Sequence, residues 1–321
     1  MISKLNKKNL QKLLPPLIGL FFIYISFVYT SEEERNEIYK SLKEAKIKYI
    51  LLSVLFGITS FLSRAYRWNY ILNSMGYYPR LINNVLAIFV TYLANLGVPR
   101  SGEILRATIM QTYESVPFDK AFGTILAERV VDLVVLFALI ILCLFLETDI
   151  LLPVIREKMS LDFNKHYILV ISIIFLLMIF IFKKFFKDGI KKKLSNVMFG
   201  IRDGFISLLR MNYKIQYLIH TIFIWCIYIL VFYLMKFCLN GTELIDFRAL
   251  LIAFIFGALS MTTTNGGIGV YPISVSIALG FYGVPFETSL AFGWLTWTVQ
   301  TMVIVFFGIL AFFLLPIVNK A

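Results

Sequence analysis

Apolar stretches long enough to cross a lipid bilayer recur along the whole chain, and this constrains the fold more than any motif does. A full crossing needs about 20 apolar residues. Such runs lie near 13–30, 47–63, 121–146, 166–182, 215–239 and 288–315. Of the 321 residues, 59% are hydrophobic and 16% are charged, where a soluble domain carries about a quarter. A single water-soluble core and a disordered chain are both excluded. The sequence predicts an all-α polytopic membrane protein.

Two further apolar regions, 81–113 and 249–283, are too short for two crossings, and each is broken near its middle. The first break reads Asn95-Leu96-Gly97-Val98-Pro99-Arg100-Ser101-Gly102-Glu103, and the second Thr262-Thr263-Thr264-Asn265-Gly266-Gly267-Ile268-Gly269-Val270-Tyr271-Pro272. Clustered Gly and Pro end helices. The segment 183–214 holds nine Lys/Arg against Asp188 and Asp203, so it belongs on the cytoplasmic side. It falls there if 81–113 enters and returns on the cytoplasmic side, and the same treatment of 249–283, entering from outside, puts Lys320 inside. The expected architecture is six full spans plus two re-entrant hairpins, eight or more membrane segments, with both termini cytoplasmic in the cell (inner) membrane.

Lys4, Lys7, Lys8 and Lys12 precede the first run, as in a signal peptide. No small-residue cleavage site follows, so it reads as an uncleaved first helix. The net charge of +12 fits basic loops on anionic lipid better than nucleic acid. Within 183–214, Leu194, Val197, Met198, Ile201, Phe205, Leu208 and Leu209 keep helical spacing among the basic residues. This predicts an amphipathic linker lying on anionic inner-leaflet lipids. Cys143, Cys226 and Cys238 show no paired spacing, and His166 and His220 are the only histidines. No disulfide framework, metal or cofactor is expected.

The broken regions resemble one another. Val116-Pro117-Phe118-Asp119 recurs 168 residues later as Val284-Pro285-Phe286-Glu287, and Ala121-Phe122-Gly123 recurs 170 residues later as Ala291-Phe292-Gly293. The halves, about 1–150 and 151–321, read as one membrane domain with inverted topology. Broken helices at matching positions of inverted halves point to a transporter's binding site. Chance recurrence of short motifs in a Phe-rich chain is the alternative.

Glu128, Arg129 and Asp132 lie inside the span near 121–146. Ionised groups at that depth are costly and functional by default. Glu128 and Asp132, four residues apart, share a helix face and need a cation; Arg100, Arg106 and Arg129 are the expected partners. The three form a charge network or a proton carrier, or else an ion-pair cluster that only pins the hairpin. Arg100, at a broken helix tip, fits a phosphate headgroup. Asn95, Glu103, Arg106, Asn265 and the amides of Gly266, Gly267 and Gly269 join it as candidate substrate contacts. Arg64, Arg67 and Trp68 read first as interfacial anchors, with Arg67 a secondary headgroup contact.

The segments NLGVPRSGEILR (95–106), Ala127-Glu128-Arg129-Val130-Val131-Asp132 and Asn265-Gly266-Gly267-Ile268-Gly269-Val270, with Arg64-Ala65-Tyr66-Arg67-Trp68, resemble the transmembrane region of lysylphosphatidylglycerol synthases, the flippase-like domain. The resemblance covers nearly the whole chain. Asn265 replaces the proline of the family's Pro-Gly-Gly-x-Gly, and Tyr271-Pro272 follows where an acidic residue is usual. In full-length members a soluble domain transfers an amino acid to phosphatidylglycerol, and the membrane part moves the product between leaflets. Here Ala321 directly follows the last span. The resemblance therefore implies lipid translocation without aminoacyl transfer, and no enzyme activity. The expected function is flipping of an anionic, phosphate-bearing membrane lipid. The alternatives are a non-catalytic partner of a separate lipid synthase or glycosyltransferase, and an intramembrane lipid-modifying enzyme. No P-loop is present, so direct ATP hydrolysis is not expected.

Overall fold

A computed structural model of the chain describes residues 32–98, 100–147, 203–204, 206–208 and 210–319. The expected spans 13–30 and 166–182 and most of the basic linker lie outside these residues. The described residues form nine α-helices and no strand. In chain order they are α1 (Glu32–Lys43), α2 (Ile47–Ser74), α3 (Leu81–Gly97), α4 (Ser101–Glu114), α5 (Phe118–Leu146), α6 (Lys214–Met235), α7 (Phe247–Thr263), α8 (Val270–Gly280) and α9 (Phe286–Val318). Of these, α2, α5, α6 and α9 are long and apolar enough to cross a membrane. Together they make a multi-pass helical membrane protein.

The run expected to end at 63 continues as helix to Ser74. Arg64, Arg67 and Trp68 are not exposed anchors; each is buried. Their polar groups meet α5 and α6 inside the protein, so the helix persists through a stretch that hydropathy alone would end. Helix α1 was not anticipated. Acidic residues open it and Lys40 and Lys43 close it, which suits the helix dipole at both ends. It packs on α9.

The described residues form two large apolar cores and a small cluster of Ile71, Met211 and Tyr217. One gathers Phe232 and Met235 of α6, Ala249 to Ala253 of α7, Val275 and Leu279 of α8, and Phe292 of α9. The other gathers Phe61 and Trp68 of α2, Leu86 to Val90 of α3, Met110 of α4, Ile125 of α5, and Ile304 and Leu315 of α9. Helix α9 thus serves both cores, one with each half. Small residues permit its close approaches. A Cβ on Gly293 would stand 2.7 Å from Pro272 Cα, and one on Gly308 would stand 2.6 Å from Leu93 Cβ. Close packing of this kind holds helices together where lipid removes the hydrophobic drive. Outward-facing Phe137, Ile141 and Phe145 of α5 and Phe306, Phe312 and Phe313 of α9 are exposed, as lipid-facing positions should be.

Helices α3 and α4 form an antiparallel hairpin. At its base, Glu114 accepts from Arg80 N (3.1 Å) and Arg80 Nε (3.2 Å), and also from Asn83 Nδ2. Asn319, at the end of α9, donates to Asn83 Oδ1 (2.8 Å). At the tip, Arg100 takes the left-handed conformation, φ 58°, uncommon for a non-glycine residue. Ser101 Oγ donates to the carbonyls of Ala94 (3.1 Å) and Val98 (2.8 Å), satisfying groups that a helix end leaves open. Gly102 is required here, because an added Cβ would lie 2.1 Å from Thr91 O.

The second break is made differently. A short 3₁₀ turn, Asn265–Gly267, joins α7 to the segment before α8, and Gly266, Gly267 and Gly269 have φ of 60°, 75° and 72°. All three glycines adopt a conformation that other residues rarely enter. The two tips meet, since a Cβ on Gly266 would stand 2.5 Å from Leu96 Cδ2. Trp297 of α9 fixes the turn by donating from Nε1 to Gly266 O (2.7 Å).

Candidate functional site

Beneath the first tip, α2, α4, α5 and α6 enclose a cluster of charged side chains. Arg64 and Arg67, three residues apart on α2, face Glu128 and Asp132, four apart on α5; residues at those spacings share a helix face. Arg64 Nη1 lies 2.8 Å from Asp132 Oδ2, and Arg67 Nη1 lies 2.8 Å from Asp132 Oδ1. Arg67 also reaches Glu128 Oε1 through Nε (3.3 Å) and Thr221 Oγ1 on α6 (3.3 Å). Arg64 Nη2 donates to Tyr228 Oη (3.1 Å). Arg64, Arg67, Arg106 and Glu128 are each at most 3% exposed. Removing such charges from water is costly unless partners hold them closely.

Helix α4 completes the cluster from the hairpin. Arg106 Nη1 stands 2.8 Å from Glu128 Oε2. The guanidinium lies over Trp68, its Cζ 3.7 Å from the ring centre, a cation–π geometry. Trp68 Nε1 donates to Thr124 Oγ1 (2.9 Å), which locks the ring. Arg129 Nη2 donates to Glu103 Oε1 (2.9 Å), joined by Asn95 Nδ2 (3.4 Å). Asn95 Oδ1 in turn accepts from Gly102 N (2.8 Å), so the same asparagine ties the tip to the cluster.

The pairing differs from the sequence expectation in three respects. Asp132 is held by Arg64 and Arg67 of α2, not by the hairpin arginines. Of the hairpin arginines only Arg106 reaches a carboxylate of α5, because Arg100 sits exposed at the tip, with no ion pair among the described residues. Arg129 binds Glu103 and not its neighbour Glu128, since adjacent residues on a helix do not share a face. Sequence reasoning undervalued Arg64 and missed Trp68, Thr221 and Tyr228 as members. The available signal was the match between an i, i+3 arginine pair and an i, i+4 carboxylate pair.

Gly266 is brought to the first tip at Leu96, whereas Gly267 lies against Tyr271 and Met261 and Gly269 precedes α8. The side chain of Asn265 is outside the described residues. Several buried polar atoms of the cluster have no hydrogen-bond partner: Arg64 Nε, Arg106 Nε and Nη2, and Glu103 Oε2. Native proteins keep few such atoms.

Comparison with known proteins agrees in outline with these features. A UPF0104 membrane protein of Pyrococcus horikoshii is 26% identical over 307 residues, covering 88% of this chain and 90% of that protein. A UPF0104 membrane protein of Methanocaldococcus jannaschii is 27% identical over 119 residues, 36% of this chain and 34% of its own. The glycosyltransferase AglD of Haloferax volcanii is 27% identical over 105 residues, 32% of this chain and 17% of its own. No solved structure matches the chain. The model of the lysylphosphatidylglycerol synthase TM region matches residues 14–314; with charged tip, buried cluster and glycine turn all inside that range, the chain belongs to this family.

Proposed function

We propose that the protein moves an anionic, phosphate-bearing lipid between the leaflets of the cell membrane. The observation that carries this reading is the meeting of the two helix breaks, Leu96 against Gly266, directly above a buried arginine-rich cluster. Broken helices from two inverted halves are the usual framework of a transport site. On this reading the hairpins are re-entrant, both termini are cytoplasmic, and the basic linker rests on anionic lipid. Arg100, exposed at the tip, is the first contact of the headgroup. Asp132, gripped by Arg64 and Arg67, balances charge and holds α2 to α5.

The test is leaflet exchange of fluorescent phospholipids in liposomes containing the purified protein. Wild-type protein exchanges an anionic lipid, and Arg100→Ala slows exchange by about tenfold, the loss of one charge-assisted contact. Full exchange by a folded Arg100→Ala protein removes the headgroup role from the tip.

The likeness to a segment of a glycosyltransferase favours one second reading, a non-catalytic membrane partner for a separate lipid-modifying enzyme. No exchange of any anionic lipid, with raised product yield from a co-reconstituted glycosyltransferase, would establish that reading instead.

A further inference from the structure

Arg106 carries an intact two-donor edge with nothing to donate to. Its Nη1 is taken by Glu128 Oε2 at 2.8 Å, and its flat face by Trp68 at 3.7 Å. The side chain is 2% exposed. The remaining edge, Nε and Nη2, is buried and has no hydrogen-bond acceptor. Those two N–H groups point in parallel and match two oxygens of one oxyanion, the bidentate geometry that makes arginine a phosphate receptor. One edge and one face of the guanidinium are fixed, so the free edge is pre-organised.

The charge of the cluster selects among oxyanions. Among the described residues, Arg64, Arg67, Arg106 and Arg129 face Glu103, Glu128 and Asp132, four positive charges against three negative. One negative charge completes the balance. We propose that the Nε/Nη2 edge of Arg106 binds the singly charged phosphodiester of a membrane lipid. This rests on the lipid-translocation reading of the same site and names its substrate class. The fork is buried in this conformation, and the more accessible ion pair of the cluster is Arg129–Glu103. That pair joins α5 to α4 at the edge of the cluster, with side chains 33% and 12% exposed.

The experiment is calorimetric titration of the purified full chain in detergent with dihexanoylphosphatidylglycerol, its neutral phosphate-methylated triester, and inorganic phosphate. The diester binds, the triester binds about tenfold more weakly or worse, and Arg106→Lys, which keeps the charge and loses the fork, weakens the diester by about tenfold. Equal binding of diester and triester by wild-type protein overturns the proposal without recourse to any variant. So does undiminished diester binding by Arg106→Lys. Inorganic phosphate that displaces the diester at equal concentration reassigns the fork to free phosphate and overturns the lipid source. Arg106-dependent binding in a protein that exchanges no lipid in liposomes keeps the receptor and removes the transport reading. Exchange that Arg106→Lys leaves intact does the reverse.

Discussion

The two broken hairpins share a junction and differ in what they carry. After α4, Ser115 (φ 54°) reverses the chain; after α8, Gly283 (φ 74°) does the same. Val-Pro-Phe follows in both. Pro117 and Pro285 take ψ of 138° and 143° and accept from Ala121 N (3.0 Å) and Ser289 N (2.9 Å) as α5 and α9 begin. Yet α4 brings Glu103 and Arg106 to the buried cluster, whereas α8, VYPISVSIALG, has no charged residue. The first tip turns through a strained arginine and the second through three glycines. The first hairpin thus carries charge, and the second supplies a backbone counterpart at the opposing tip.

This comparison predicts that damage to the charged side is the more severe. The largest effect is expected from Asp132→Ala, which leaves Arg64 and Arg67 buried without their shared acceptor. Breaking a buried pair from one side costs about 3–5 kcal/mol. Thermal unfolding of the detergent-solubilised protein should show it as a pronounced loss of stability. A loss no larger than that of a lipid-facing substitution such as Phe145→Ala would mean that the cluster contributes little to the fold. Next is Gly102→Ala, whose Cβ would meet the backbone of Thr91, a neighbour that cannot rotate away. About 3 kcal/mol is expected, the upper range for overpacking, read in the same assay.

On the uncharged side, Gly266→Ala should be milder although its φ is positive. A non-glycine residue there costs roughly 1–2 kcal/mol, and the obstructing atom is the end of the flexible Leu96 side chain. The useful quantity is the ratio of damage in two measurements. Gly266→Ala should slow leaflet exchange more than it lowers stability, because it separates the tips. Gly102→Ala should reduce both together. Equal behaviour of the two variants would mean that the tips are structurally equivalent after all.

Much of this arrangement was legible in the residues. Both breaks and the Val-Pro-Phe repeat are local backbone chemistry, written in Gly, Pro and spacing. That Glu128 and Asp132 face protein and not lipid followed from their place in an apolar span. The partners of those carboxylates were not legible, because pairing depends on which helix lies alongside. Arg64 and Arg67 stand where hydropathy falls, which from sequence looks like a membrane interface. Only the packing of α2 against α6 and α5 turns that position inward. The unpaired edge of Arg106 was also beyond reach, since it depends on Trp68 and Glu128 holding the other edge and one face.

The ties outside the hairpins sharpen the comparison at its weakest end. The base of α3–α4 is fastened by Glu114, which is largely buried. The corresponding tie before α7 is the solvent-exposed ion pair of Lys46 with Glu243 (2.5 Å), beside the bond from Lys46 N to Cys238 O (2.9 Å). The hydrogen bond from Lys46 holds the Glu243 carboxyl below the ordinary carboxylate range, and the same bond raises the Lys46 ammonium above its usual value. A carboxyl lowered on folding stabilises the fold above its unfolded pKa and ceases to as pH falls through the folded one. An ammonium raised on folding stabilises below its unfolded pKa and ceases to as pH rises through the folded one. The pair therefore contributes across the neutral range and is lost at both ends. Being exposed, it is screened by salt and contributes little. Glu243→Gln should lower the unfolding temperature only slightly at neutral pH and low salt, and the difference from wild type should begin to shrink near the ordinary carboxylate value of about 4 and vanish below the lowered value of the folded protein. A difference that persists in acid or in molar salt would show that Glu243 acts through packing of the loop before α7, and the second hairpin would then be anchored as firmly as the first.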